Sequence, residues 1–275
     1  MIVVLLVLAA ILGGAVGSFL NVVIWRVPRG ESVVSPPSHC PHCDAAIRKR
    51  DNVPVLSWLV LRGKCRDCGG PISPRYPLVE LATSIAVTFV ALGFSAPLLD
   101  ATTTAAAFSA ILALVAFAYL AVISIALTLI DIDVFRLPNV IVLPAYVVGA
   151  VLLSASSLLA GDPGQLLRAA IGAAALFAFY FVAVLVYPGG MGFGDVKLAG
   201  VLGLFLAWLG WGELAVGAFA AFLLGGLFGI VLLAVKRAGR KTRIPFGPWM
   251  LGGAWVGIVA GEPVANWYLS LFGLA

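Results

Sequence analysis

Charge is what this sequence has least of. Only 11% of its 275 residues are charged, 62% are hydrophobic, and the mean hydropathy is +1.12. A soluble domain carries about 25% charged residues. A single core cannot enclose so much apolar surface, so lipid must be the solvent for most of the chain. Cysteine is absent outside the stretch from Cys40 to Cys68, which excludes a scattered disulfide framework. No basic residue precedes the first apolar run, because the first one is Arg26. A cleaved signal peptide needs such a charge, so residues 2–24 read as an uncleaved anchor. Internal repeats and low-complexity segments are also missing. The net charge of +5 and pI near 9.2 do not point to nucleic acid here. Lys and Arg of a polytopic protein collect in its cytoplasmic loops, and no nucleic-acid partner is expected.

Apolar segments fill the chain at 2–24, 78–98, 104–130, 140–159, 167–186, 198–211, 214–235 and 248–260. The fold class expected is an all-α polytopic membrane protein with about eight transmembrane helices and a small cytoplasmic zinc-knuckle loop domain. A tight turn at Gly210-Trp211-Gly212-Glu213 separates the sixth and seventh segments, and Glu262-Pro263 follows the eighth. Three parts are expected: a first transmembrane helix at 1–25, a loop domain at 26–77, and a membrane-embedded domain at 78–275. With the N-terminus outside, the inner loops 26–75, 131–138, 187–197 and 236–247 hold 16 of the 17 Lys and Arg, leaving only Arg168 outside. The opposite orientation inverts that balance. Close helix packing is suggested by Gly13-x-x-x-Gly17 and Gly225-x-x-x-Gly229.

Two acidic stretches end up at the same face in this topology. Asp131-Ile132-Asp133 closes an apolar segment before Pro138-Asn139. Gly189-Gly190-Met191-Gly192-Phe193-Gly194-Asp195 is a glycine-rich turn ending in a carboxylate. Taken singly, each has a structural explanation: a helix stop for the first, an N-cap for Asp195. Taken together, they can place two carboxylates side by side. Such a pair resists double ionisation and can hydrolyse a peptide without metal. Asp195 opens a helix and Asp131 closes one, which gives Asp195 the role of base and Asp131 that of acid. The glycines, Gly192 and Gly194 among them, let a substrate backbone come close and permit positive φ. A phosphate loop is excluded by the missing lysine pattern and preceding strand.

The four cysteines form Cys40-Pro41-His42-Cys43 and Cys65-Arg66-Asp67-Cys68, with 21 residues between the pairs. This spacing is near that of two zinc knuckles, and four thiolates close a tetrahedral site. Such a metal would fold a loop with no adequate core of its own. A single thiol-oxidant centre needs only one pair, and the expected compartment is reducing. His39 and His42 are expected to be bystanders, and Asn21, Arg26 and Glu80 to serve positioning.

These residues also resemble a known family. Gly192-Phe193-Gly194-Asp195 is the Gly-x-Gly-Asp signature of intramembrane aspartyl proteases. The run from Gly190 to Leu198 resembles the motif of the type IV prepilin peptidases. Ile130-Asp131-Ile132-Asp133 with Leu137-Pro138-Asn139 is similar to that family's first aspartate motif, which places the catalytic carboxylate on Asp131. Ile244-Pro245-Phe246-Gly247-Pro248 and the stretch from Gly17 to Pro28 are similar to further family motifs. The spacing alone makes Cys40, Cys43, Cys65 and Cys68 the metal ligands, while the resemblance implies catalytic Asp131 and Asp195 and an active-site loop with Gly192 and Gly194. It implies type IV prepilin or pseudopilin substrates at a bacterial inner membrane. It also implies a second activity, N-methylation of the new terminus with S-adenosylmethionine as donor. The competing readings are a proton-coupled transporter, which relays protons through paired membrane carboxylates, and a zinc-knuckle scaffold with silent aspartates.

Overall fold

The protein's structure is a computed structural model that describes residues 1–189, 191–235 and 244–273. Gly190 of the glycine-rich turn and most of the expected inner loop 236–247 lie outside the described residues. Among the described residues the chain is helical, with no strand beyond two isolated bridges. It divides into two units, Met1–Ala126 and Leu127–Ala275.

The first unit holds α1 (Ile2–Arg26), α2 (Leu56–Val60), α3 (Arg75–Gly93), α4 (Ser95–Leu99) and the first part of α5 (Thr104–Val134). α1 and α3 pack against each other along small residues. A Cβ added at Gly13 would stand 2.8 Å from Ser84 Cα, and one at Gly17 would stand 2.8 Å from Glu80 Cα. The expected Gly13–Gly17 contact face is therefore present, and it serves helices of the same unit. Asn21 Nδ2 donates to the Tyr76 carbonyl at 3.2 Å, and Ser84 Oγ to that of Ala10 at 2.8 Å. Arg26 holds the start of the loop through the carbonyls of Ser32 and Pro36 at 2.9 and 2.8 Å.

The second unit holds the end of α5, α6 (Asn139–Ala160), α7 (Gly164–Val186), α8 (Phe193–Leu209), α9 (Trp211–Ala234) and α10 (Gly247–Ser270). α8 is its axis and packs against α6, α7, α9 and α10. Gly203 of α8 crosses Gly172 of α7 backbone to backbone, leaving no room for a side chain at either position. Arg168 of α7 donates to the last carbonyls of α8, those of Ala207, Trp208 and Leu209, the latter two at 2.7 and 2.9 Å. These orphan acceptors need donors that lipid cannot supply. Arg168, expected to lie alone on the outer side, thus has a capping role that its position in the sequence did not reveal.

Among the described residues, six helices are long and apolar enough to cross a membrane: Ile2–Arg29, Arg75–Gly93, Thr104–Val134, Asn139–Ala160, Gly164–Val186 and Trp211–Ala234. α8 and α10 complete about eight. With 17 residues, α8 falls short of a typical ~30 Å hydrocarbon core. It is sheltered by its neighbours, with most of its residues buried.

Three local expectations change. α9 begins at Trp211, so Gly212 and Glu213 form its first turn rather than a loop. α10 continues through Pro263 to Ser270 instead of stopping near 260. Its packing on α9 holds it there: a Cβ at Gly261 would stand 2.9 Å from Glu213 Cγ. Asp195 is the third residue of α8, and the N-cap is Gly192.

Candidate functional site

Asp131 lies in the last turn of α5, which stops as expected. Phe135 adopts φ 53° and its N–H closes on the Asp131 carbonyl at 2.9 Å. Asp195 lies in the first turn of α8. Both side chains are buried, with 5% and 8% of the residue exposed. Each carboxylate accepts one backbone N–H from a glycine. Asp195 Oδ2 takes that of Gly192 at 2.9 Å, the reach-back half of a capping box. Asp131 Oδ2 takes that of Gly247 at 3.0 Å. Gly247 opens α10, so Asp131 faces a helix N-terminus just as Asp195 does. The opposite-dipole distinction expected from sequence therefore does not separate the two acids.

The two carboxylates are close enough for their charges to interact. Leu137 connects their surroundings. A Cβ at Gly194 would stand 3.1 Å from Leu137 Cβ, and one at Gly247 would stand 3.2 Å from Leu137 Cδ2 and 2.7 Å from Asp131 Oδ2. Of the described glycines in the turn, only Gly189 has positive φ, at 92°. Gly194 is crowded against Leu137, whereas a Cβ at Gly192 would meet only ordinary contacts, and neither has left-handed backbone.

Gly247 is the site residue that sequence reasoning left without a role. The signal was the stretch Ile244-Pro245-Phe246-Gly247-Pro248, noted only as a motif. Phe246 seats it: its ring lies 5.4 Å from that of Phe222 and 6.3 Å from that of the buried Tyr180. Tyr146 and Lys197 steady the first turns of α8. The Tyr146 hydroxyl donates to the Lys197 carbonyl at 2.6 Å, and Lys197 Nζ donates to Asn139 Oδ1 at 2.9 Å.

In the first unit, the Sγ atoms of Cys40, Cys43, Cys65 and Cys68 all lie within 4.8 Å of one another. Cys40 and Cys68 are 3.8 Å apart. A tetrahedral site with Zn–S bonds of about 2.3 Å implies sulfurs about 3.8 Å apart, so four thiols so placed suit a closed metal site. The two knuckles share one backbone pattern. Cys40 N–H bonds to Ala45 O and Asp44 N–H to Cys40 O, while Cys65 N–H bonds to Gly70 O and Gly69 N–H to Cys65 O. Each is closed by a bridge, His39 with Ala46 and Lys64 with Pro71. In the sequence this short structural repeat shows as the cysteines and an isoleucine seven residues after the first of each pair, Ile47 and Ile72, whose N–H groups bond to Ser38 O and Gly63 O. The N–H groups of Cys68 and Asp67 draw the Cys65 thiol down to about 7. Cys43, against the pull of the Ala45 N–H, is pushed up to about 12, chiefly by the Cys68 thiol. His39 and His42 stand outside the four-sulfur cluster. Arg66 grips Asp51 with three bonds of 3.0, 3.0 and 2.6 Å, and Arg48 meets Asp67 at 2.6 Å.

Comparison with known proteins agrees with both halves. Residues 11–94 match the bacterial peptidase A24 N-terminal domain, and residues 118–230 match the type IV leader peptidase family. A prepilin leader peptidase/N-methyltransferase of Aeromonas hydrophila is 36% identical over 94% of this chain and 91% of its own length. A protein of the same description from Stutzerimonas stutzeri is 35% identical over 95% and 92%. One from Pseudomonas aeruginosa is 34% identical over 96% and 93%. No solved structure matches the chain significantly. With a relative this similar along nearly its whole length, the chain belongs to the type IV leader peptidase family.

Proposed function

We propose that the protein removes the leader of type IV prepilins or pseudopilins with an Asp131–Asp195 pair and then N-methylates the exposed terminus. The observation that carries the reading is the buried pair itself. Two buried carboxylates, each fixed by one glycine N–H, lie at the end of α5 and the start of α8. The relatives' shared description supplies the substrate and the second activity.

Hydrolysis needs one carboxylate ionised and its partner protonated, the state a close pair favours. The ionised acid takes a proton from water as the water oxygen bonds to the scissile carbonyl carbon. The protonated acid gives its proton to the carbonyl oxygen. The tetrahedral intermediate, a gem-diol, collapses when the new amine leaves with the proton held by the first acid and one hydroxyl returns its proton to the second acid, giving the new carboxyl group and restoring the starting state. Gly192, Gly194 and Gly247 keep the space beside the acids free for an extended backbone.

The four cysteines would hold one structural zinc as thiolates, giving the loop 26–77 a fixed shape. S-adenosylmethionine would supply the methyl group. The excess of Lys and Arg in the loops favours an N-terminus outside, with both aspartates and the cysteine loop on the cytoplasmic side of the inner membrane. The test is to coexpress the protein with a prepilin and determine the mass of the pilin N-terminus. Loss of the leader plus the mass of one methyl group is expected, and an intact leader would overturn the reading.

A further inference from the structure

We propose that α2 and the turn before it form a re-entrant element at the boundary between headgroups and acyl chains, with Leu56, Leu59 and Val60 in contact with lipid. The loop that holds the cysteines would then be partly embedded in the membrane instead of standing clear of it.

Depth is the first argument. α1 ends at Arg26 beside an interfacial pair: the Arg29 guanidinium lies 3.6 Å from the Trp25 ring centre. Tryptophan and arginine mark the headgroup level. Yet Pro54 packs on Gly14, where an added Cβ would stand 3.5 Å from Pro54 Cβ. Gly14 lies twelve residues before Arg26, or about 18 Å along the helix. α3 agrees. Its start is level with Asn21 through the Asn21–Tyr76 bond. Glu80, one turn further in, accepts the Val55 N–H at 2.7 Å. The turn at 54–55 thus lies roughly 6–10 Å further along the helices than Asn21, and so below the headgroup level that Trp25 and Arg29 mark.

Polar backbone at such depth must be satisfied by protein. Besides the Glu80 bond, Leu56 N–H meets Pro54 O at 2.6 Å, and Ser57 Oγ accepts from Val53 N–H at 2.9 Å while donating to Arg50 O at 3.1 Å. Val55 is held at φ 61°, a conformation a β-branched residue seldom adopts. Trp58 turns inward, donating to Ile72 O at 3.0 Å. That leaves Leu56, Leu59 and Val60 outward on one helix face, 61%, 57% and 75% exposed. Arg48, Lys49 and Arg50 precede the element, and Arg62 and Lys64 follow it. Their long side chains suit anionic headgroups above an apolar face set among acyl chains.

The test uses the full-length protein in vesicles of phosphatidylglycerol and phosphatidylethanolamine that carry a lipid with a photoreactive acyl chain. Adducts are mapped by peptide mass. Labelling of 56–60 is expected at roughly ten times that of the segment around Val34, an apolar residue of the same loop that is more exposed still. Labelled α1 with an unlabelled 56–60 would overturn the proposal. A photoreactive residue in place of Leu59 gives the second readout. Lipid adducts support the proposal, while adducts only to a substrate peptide or to a second copy of the chain contradict it.

Discussion

The Gly247 N–H donates to Asp131 Oδ2 at 3.0 Å across 116 residues of sequence. This bond ties the start of α10 to the end of α5, and no side chain fits at its donor. A Cβ at 247 would stand 2.7 Å from the carboxylate oxygen it serves. Gly247→Ala should displace Asp131 and lower the cleavage rate about 100-fold, the scale expected for a misplaced reacting group. Initial rates on purified protein, with the thermal midpoint as a fold control, check this.

Arg168 carries a different kind of prediction. It donates to three carbonyls at the end of α8. Arg168→Leu should destabilise the second unit by about 2 kcal/mol. Arg168→Lys should recover only part of that, because a single ammonium cannot reproduce the guanidinium fork. Thermal unfolding in detergent measures both.

The cysteine cluster should bind one zinc per chain. Metal analysis of the purified protein should find that zinc, and Cys40→Ser should lose it. The variant should still cut the leader, since Asp131 and Asp195 belong to the other unit, but should leave the new terminus unmethylated. Mass analysis of the pilin terminus reads both effects at once.

The Asp51–Arg66 pair gives the loop a pH dependence. Hydrogen bonds from Arg66 hold the Asp51 carboxyl below the usual carboxylate range. A depressed folded-state value means the stabilisation is fully present above the ordinary aspartate value of about 3.9 and is lost as pH falls through the lower, folded-state value. Asp51→Asn should therefore speed hydrogen exchange across 44–68 at neutral pH, and the difference from wild type should vanish in acid. Comparing the two proteins at each pH cancels the intrinsic pH dependence of exchange.

The helices and the positions of Asp131 and Asp195 were legible because lipid imposes long apolar runs and leaves the few polar residues conspicuous. The four cysteines were legible from spacing. What stayed hidden depends on contacts between distant segments. Gly247 is one glycine among 31, and only the approach of α10 to α5 gives it a function. Arg168 read as an outer charge until the packing of α7 on α8 set it against the last carbonyls of α8. The dipole argument for acid and base failed for the same reason, since Asp131 closes one helix but also faces the start of another. The continuation of α10 through Pro263 stayed hidden because its packing on α9 cannot be seen one segment at a time.

The pairing of Asp131 and Asp195 is the central claim, and one measurement tests it most directly. Asp131→Asn and Asp195→Asn, each expressed at the wild-type level, are incubated with a prepilin and the leader is followed by size. The pair mechanism predicts that neither variant releases the leader, while Asp133→Asn does. Full release by either the Asp131 or the Asp195 variant would contradict it.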